Sequence, residues 1–240
     1  MLSRNDVKYI QSLCHKKFRQ QEGLFIAETP KLVDELLQSE YVIKNVYATK
    51  AWMDHHHIQQ VPATEINDIE LERISALQTP NQVVAVVQQK ETAPVNIRDG
   101  WVLVLDGIQD PGNFGTIIRI ADWFGIKHIV CSHDTADVYN PKVVQSTMGS
   151  FVRVNIVYTE PAAFIQQVNV PVFGALLQGE NIYTLNNSAK GIIVIGNEGK
   201  GIRPELLPFI SRPVTIPKIG RAESLNAAVA TGIIVSHLLS

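Results

Sequence analysis

The sequence predicts an α/β protein: a mainly parallel sheet packed with helices over residues 93–240, preceded by a smaller α/β part over residues 1–92. Three observations point there. From Trp101 onward, short runs of Val, Ile and Leu alternate with helix-type segments, the pattern of strands buried on both faces. Between Lys90 and Gly100 the chain carries Pro94, Asn96, Asp99 and Gly100 with little apolar periodicity, which marks a linker. At 240 residues, 45% apolar and 18% charged, the chain can bury one large core or two smaller ones.

The elements of the first part follow in order. Ser3 can cap a helix reaching about Leu13, with Val7, Ile10 and Leu13 at helical spacing. The basic run His15–Arg19 is expected as a loop. Leu24–Ala27 is a short buried strand, and Thr29 caps a helix with Pro30 at its first position and Leu32, Val33, Leu36 and Leu37 on its apolar face. Val42–Ala48 is a strand, Lys50–His56 a short helix, Thr64–Ile74 another helix and Val83–Val87 a strand after the Thr79-Pro80-Asn81 turn.

In the second part, strands are expected at Trp101–Leu105, His128–Cys131, Val152–Val157, Val172–Leu176, Gly191–Ile195 and Val214–Ile216. Helices are expected at Asn113–Phe124, Pro141–Met148, Pro161–Gln167, Pro204–Phe209 and Glu223–Leu239. Open parallel sheets bind ligands beyond the carboxyl ends of their strands. Three stretches rich in Gly, Asn and charge lie just after expected strands. They are Asp106–Arg119, Gly196–Gly201 and Pro217–Asn226.

Asp110-Pro-Gly-Asn113 is a turn sequence with Asn113 as a helix cap, and Arg119 lies six residues further on, among Ile117, Ile118 and Ile120. A guanidinium there either makes a solvated or structural contact or grips a phosphate as a planar fork. Gly196-Asn-Glu-Gly-Lys-Gly201 is not a Walker loop, because Gly follows Lys200 and the first spacing is too short. Its glycines suit a backbone folded closely round a flat ligand. Glu198 either serves that site or simply pairs with Arg119 or caps the following turn. Glu223, Ser224 and Asn226 stand at the start of the last helix, where ordinary capping is the bland alternative.

Taken in this order and spacing, Leu105–Arg119, Ile193–Gly201 and Ile216–Ala230 resemble the three motifs of the SpoU (TrmH) family of RNA ribose 2′-O-methyltransferases, in the SPOUT superfamily. The resemblance spans residues 95–240. The first ninety residues resemble, more weakly, the small ribosomal-protein-like substrate-binding domain that precedes it in many members. The resemblance implies a C-terminal trefoil knot, a homodimer, and S-adenosylmethionine as cofactor without a metal. It implies Arg119 as the catalytic residue, with Asn113, Glu198, Ser224 and Asn226 around it. It also implies Leu176, Gly196, Ile216, Leu225 and Ala230 as cofactor-binding positions. The expected substrate is ribosomal RNA; a transfer-RNA enzyme and a noncatalytic RNA-binding member are the alternatives.

Charge and cysteines bear on the same question. A formal net charge of −2 is unusual for an RNA binder. Locally, however, residues 4–19 hold five cations, Arg4, Lys8, Lys16, Lys17 and Arg19, against Asp6 alone. Of these, Arg4, Lys16, Lys17 and Arg19 are the candidate phosphate contacts. Cys14 and Cys131 are isolated, which suggests reduced thiols in a cytoplasmic chain. No run approaches a membrane span, and the N-terminus lacks the apolar stretch of a secretory signal. His55-His-His57 is expected as a solvated helix end rather than a metal site.

Overall fold

The computed structural model describes residues 1–56, 61–185 and 190–239. Two compact units are formed, Met1–Glu91 with Asp137–Val152, and Thr92–Ala136 with Arg153–Ser240.

In the first unit, α1 (Arg4–Ser12) starts at a capping box in which Ser3 and Asp6 bond each other's backbone N–H. The basic run then departs from expectation. It forms a helix, α2 (Lys16–Glu22), because Arg19 turns inward. Its guanidinium is 1% exposed, donates to the carbonyls of Leu13 and Cys14 at 3.0 and 2.8 Å, and pairs with Asp137 at 2.5 Å. Arg19 is therefore a structural cation with its donors occupied, not a phosphate contact, whereas Arg4, Lys16 and Lys17 are exposed. Strand β1 (Leu24–Glu28) leads to α3 (Pro30–Leu37). Thr29 does not cap that helix: at φ 81° it stays tied to the sheet, donating its N–H to Val83 O at 3.2 Å.

Strand β2 (Ile43–Ala48) is followed by a short α4 (Lys50–Met53), which stops before the histidines. His55 Nδ1 meets Ala51 O at 2.7 Å, and His56 stacks on Trp52 with Nε2 3.0 Å from Asp34. His57 lies outside the described residues. The expected Thr64–Ile74 helix is split into β3 (Ala63–Glu65), paired parallel to β2, and α5 (Asp68–Ile74), because Asn67 and Glu70 form a second capping box there. Strand β4 (Val83–Gln88) completes a sheet of order β1-β4-β2-β3. Val7, Ile10, Leu13, Ile26, Leu71, Ile74, Val84 and Val86 fill one face.

Among the described residues, the second unit has six parallel strands in the order β10-β8-β9-β5-β6-β7. They are β5 (Trp101–Asp106), β6 (His128–Cys131), β7 (Asn155–Tyr158), β8 (Val172–Asn181), β9 (Gly191–Gly196) and β10 (Arg212–Thr215). Among these, α6 (Pro111–Trp123), α8 (Pro161–Gln166) and α9 (Ala227–Leu239) belong to this unit. The intervening α7 (Pro141–Thr147) belongs to the first, where Phe151 and Tyr139 pack on Phe25 and Asp137 meets Arg19. A boundary at residue 92 therefore leaves Asp137–Val152 on the other side.

Residues 150–152 form a 3-10 turn rather than a strand start, and Pro204–Phe209 is 3-10 rather than α. Strand β8 is longer than the expected Val172–Leu176 because its ladder with β10 breaks. Arg212 and Pro213 face Phe173 and Gly174, then Val214 and Thr215 face Glu180 and Asn181. Ala175–Gly179 bulges between. The helix α9 packs on α6, where a Cβ on Gly232 would be 3.5 Å from Ile120 Cδ1. Buried Ala227 and Ala228 keep its first turn slim. Among the described residues no helix is long and apolar enough to cross a membrane.

Candidate active site

The three motif loops leave the carboxyl ends of β5, β9 and β10, at the edge where parallel sheets bind ligands. The first begins with Asp110, not Asn113, as the cap of α6. Asp110 Oδ1 accepts the Asn113 N–H at 2.7 Å, and Pro111 occupies the first helical position, where no N–H is missed. The Asn113 side chain is thereby released from capping and turns to the other two loops.

Its Nδ2 donates to Glu198 Oε1 at 3.1 Å, and its Oδ1 accepts Asn226 Nδ2 at 2.7 Å. Glu198 also accepts the backbone N–H of Asp110 at 3.2 Å and of Gln109 at 3.3 Å. Asn226 is the cap of α9, which starts at Ala227 rather than Glu223; its Oδ1 accepts the N–H groups of Ala228 and Val229 at 2.9 and 3.2 Å. One chain of side-chain contacts, Asn226–Asn113–Glu198, thus joins all three motifs. Burial pushes the Glu198 carboxyl up, but the donors from Asn113, Gln109 and Asp110 outweigh it and hold it below its ordinary value.

Arg119 sits on α6 between buried Ile118 and half-buried Ile120, yet is itself exposed. Among the described residues it makes no hydrogen bond or ion pair, so the Arg119–Glu198 pair is not formed. Ser224 is exposed and stays outside the tie.

The positions expected to bind the cofactor are placed as follows. Leu176 is half-buried in the β8 bulge, Gly196 ends β9, Ile216 follows β10, and Ala230 is half-buried on α9. Leu225 is 49% exposed. At Gly196 a Cβ would lie 2.2 Å from Gly201 C and from Ile202 N, so only glycine lets the loop close on itself. Among the described residues no group of three or more His, Cys, Asp or Glu side chains could hold a metal.

The SpoU rRNA Methylase family matches residues 100–236, and an MRM3-like substrate binding domain matches residues 4–85. The chain is 31% identical over 237 residues to the 23S rRNA (guanosine(2553)-2′-O)-methyltransferase RlmP of Bacillus subtilis (strain 168), covering 97% of this chain and 95% of that protein.

The chain belongs to the SpoU methylase family.

Solved structures agree. A TrmH-family protein from Porphyromonas gingivalis superposes with a TM-score of 0.89 at 38% identity, covering 99% of this chain and 98% of that one. An AdoMet-bound rRNA methyltransferase from Sinorhizobium meliloti superposes at 0.88 and 30% identity, covering 99% and 96%. Within this SpoU chain, sequence reasoning missed Asp106, Asn197 and Arg203. Asp106 is 1% exposed and bound by Arg203, and Asn197 Nδ2 donates to Gly107 O at 2.7 Å. The one signal was an acidic residue ending an apolar strand, where an unpaired carboxylate would be costly.

Proposed function

We propose that the protein transfers a methyl group from S-adenosylmethionine to a ribose 2′-hydroxyl of ribosomal RNA. Family membership and the rRNA methyltransferases among its relatives support the reaction. The observation that carries the site is the Asn226–Asn113–Glu198 tie, with Arg119 unpaired among the described residues on the helix it anchors. The bound cofactor supplies a methyl group already activated by its sulfonium, so the chain's task is alignment.

The backbone at Gly196, Ile216 and Leu225, with Leu176 and Ala230 beside it, holds the nucleoside part. Arg119 grips the phosphate next to the target ribose and orients its hydroxyl. As a guanidinium it is a poor base, so the proton leaves to phosphate or water. Asn113 and Glu198 fix the start of α6, and Asn226 fixes the third loop against it. Ser224, exposed beside them, meets the ribose or phosphate.

Residues 1–92 serve as the substrate-binding part and 93–240 as the methyltransferase, with exposed Arg4, Lys16 and Lys17 touching RNA phosphates. The reading includes the family's trefoil knot, a cytoplasmic setting and a homodimer, the last supported by exposed Leu177, Ile219 and Val229. Calorimetry with S-adenosylmethionine in chelator tests the cofactor assignment. Saturable binding is expected; no heat and no thermal shift at millimolar ligand would overturn it.

A further inference from the structure

Beneath the motif tie lies a second polar cluster that the roles above do not use. Asp106 closes β5, and its Oδ2 accepts the Arg203 backbone N–H at 2.8 Å. Its Oδ1 accepts Arg203 Nε at 2.5 Å and also contacts Nη2. The same guanidinium reaches Asp134 Oδ1 at 3.7 Å. Asp134 Oδ1 accepts the Ser132 hydroxyl at 2.6 Å, and Ser132 Oγ accepts the Gly107 N–H at 2.8 Å. On the other side of that residue, Gly107 O accepts Asn197 Nδ2, while Asn197 Oδ1 accepts the N–H groups of Gly199 and Lys200, both at 3.0 Å.

Gly107 is thus held at both ends of its backbone. At φ 76°, with a Cβ there lying 3.1 Å from Asp134 Oδ2, the turn suits glycine and would strain any other residue. Two and three residues later come Gln109 and Asp110, whose N–H groups bind Glu198; Glu198 itself neighbours Asn197. Donor segment and acceptor loop are therefore both referenced to one guanidinium. A buried carboxylate such as Asp106 is tolerable only with such a partner.

We propose that Arg203 is a positioning residue for methyl transfer, setting Glu198 against Asn113 from below. This rests on the methyltransferase reading. Nε and Nη2 of the guanidinium are engaged by Asp106, so the role assigned to it runs through the Glu198 loop.

The test is a double-mutant cycle on the full chain with S-adenosylmethionine and ribosomal RNA, read as single-turnover methylation of the folded fraction. Arg203→Gln should slow transfer by ~10-fold while cofactor affinity changes less than ~3-fold. Arg203→Lys, which keeps the charge beside Asp106 but not the fork, should lie between and serves if the Gln variant does not fold. Adding Arg203→Gln to Glu198→Gln should cost less than ~3-fold more, because both act on one contact. Fully multiplicative losses, or a normal rate with only a lowered melting temperature, would overturn the inference. If the parent chain transfers no methyl group, the catalytic reading fails by itself. Amide exchange at Gln109 and Asp110 then decides the placement: faster exchange in Arg203→Gln supports it, and unchanged exchange overturns it.

Discussion

Glu198→Gln is a sharper test of the motif tie than removal of the side chain. Oε1 accepts Asp110 N and Asn113 Nδ2, while Oε2 accepts Gln109 N at 3.3 Å and lies 3.5 Å from Asn197 Nδ2. Whichever oxygen becomes an amide, an N–H group then faces two donors. At least two favourable contacts are lost, although the shape is nearly kept. A hydrogen bond to a charged acceptor contributes ~1.5–3 kcal/mol when buried. Glu198 is half-buried and water competes, so ~1 kcal/mol each is the fitting scale, or ~2 kcal/mol together. That corresponds to roughly a 30-fold loss if the ordered loop is needed in the transition state.

The assay is single-turnover transfer at saturating cofactor. The Gln variant should fall by ~10–30-fold, close to Glu198→Ala. A Gln variant within ~3-fold of the parent chain, beside an Ala variant far below it, would show that the tie does not depend on the carboxylate. The sign of the pH effect follows from the lowered carboxyl. The tie is present above the ordinary value near 4.5 and is lost as pH falls through the lower folded value. No Glu198 titration should therefore shape the rate at neutral pH.

Other outcomes follow from the same geometry. Arg19→Ala leaves Asp137 unpaired and should destabilise the chain by about 3 kcal/mol or more, lowering Tm by roughly 6–12 °C; an unchanged Tm would contradict the buried pair. Lys16→Ala with Lys17→Ala should leave Tm alone but weaken RNA binding and reduce the slope of log affinity against log salt by ~1–2; an unaltered slope would remove α2 from the RNA face. Gly196→Ala forces a methyl group onto the Gly201 backbone and should lower S-adenosylmethionine affinity by ~10-fold or more, checked by calorimetry. Arg119→Ala should slow transfer ~100-fold with little change in cofactor affinity or Tm, and Arg119→Lys should rescue little; a normal single-turnover rate would take it off the catalytic list.

Much of the fold was legible because its strands are short, fully apolar and set between breakers. The His128–Cys131 strand has the expected ends, and β5 and β9 run one residue further, to Asp106 and Gly196. Errors cluster where a polar side chain chose a distant or unexpected partner. Arg19 made a helix of a basic run by bonding Asp137, 118 residues away. Asp110 took the capping role expected of Asn113, and Asn226 moved the start of α9 four residues from Glu223. The β8 bulge is invisible in sequence, since its apolar residues continue a strand pattern. For the site, Asn113, Glu198 and Asn226 came from motif resemblance. Their mutual contacts did not, and neither did the pairing of Asp106 with Arg203, 97 residues apart.

Methylation of a ribose 2′-hydroxyl by this chain can be read directly. The most direct measurement incubates purified protein with labelled S-adenosylmethionine and unmodified 23S ribosomal RNA, then digests the RNA and locates the label. Label is expected at one nucleotide, on the ribose 2′-oxygen, dependent on Arg119. Label on a base, or none on RNA under conditions where the cofactor binds, would contradict it.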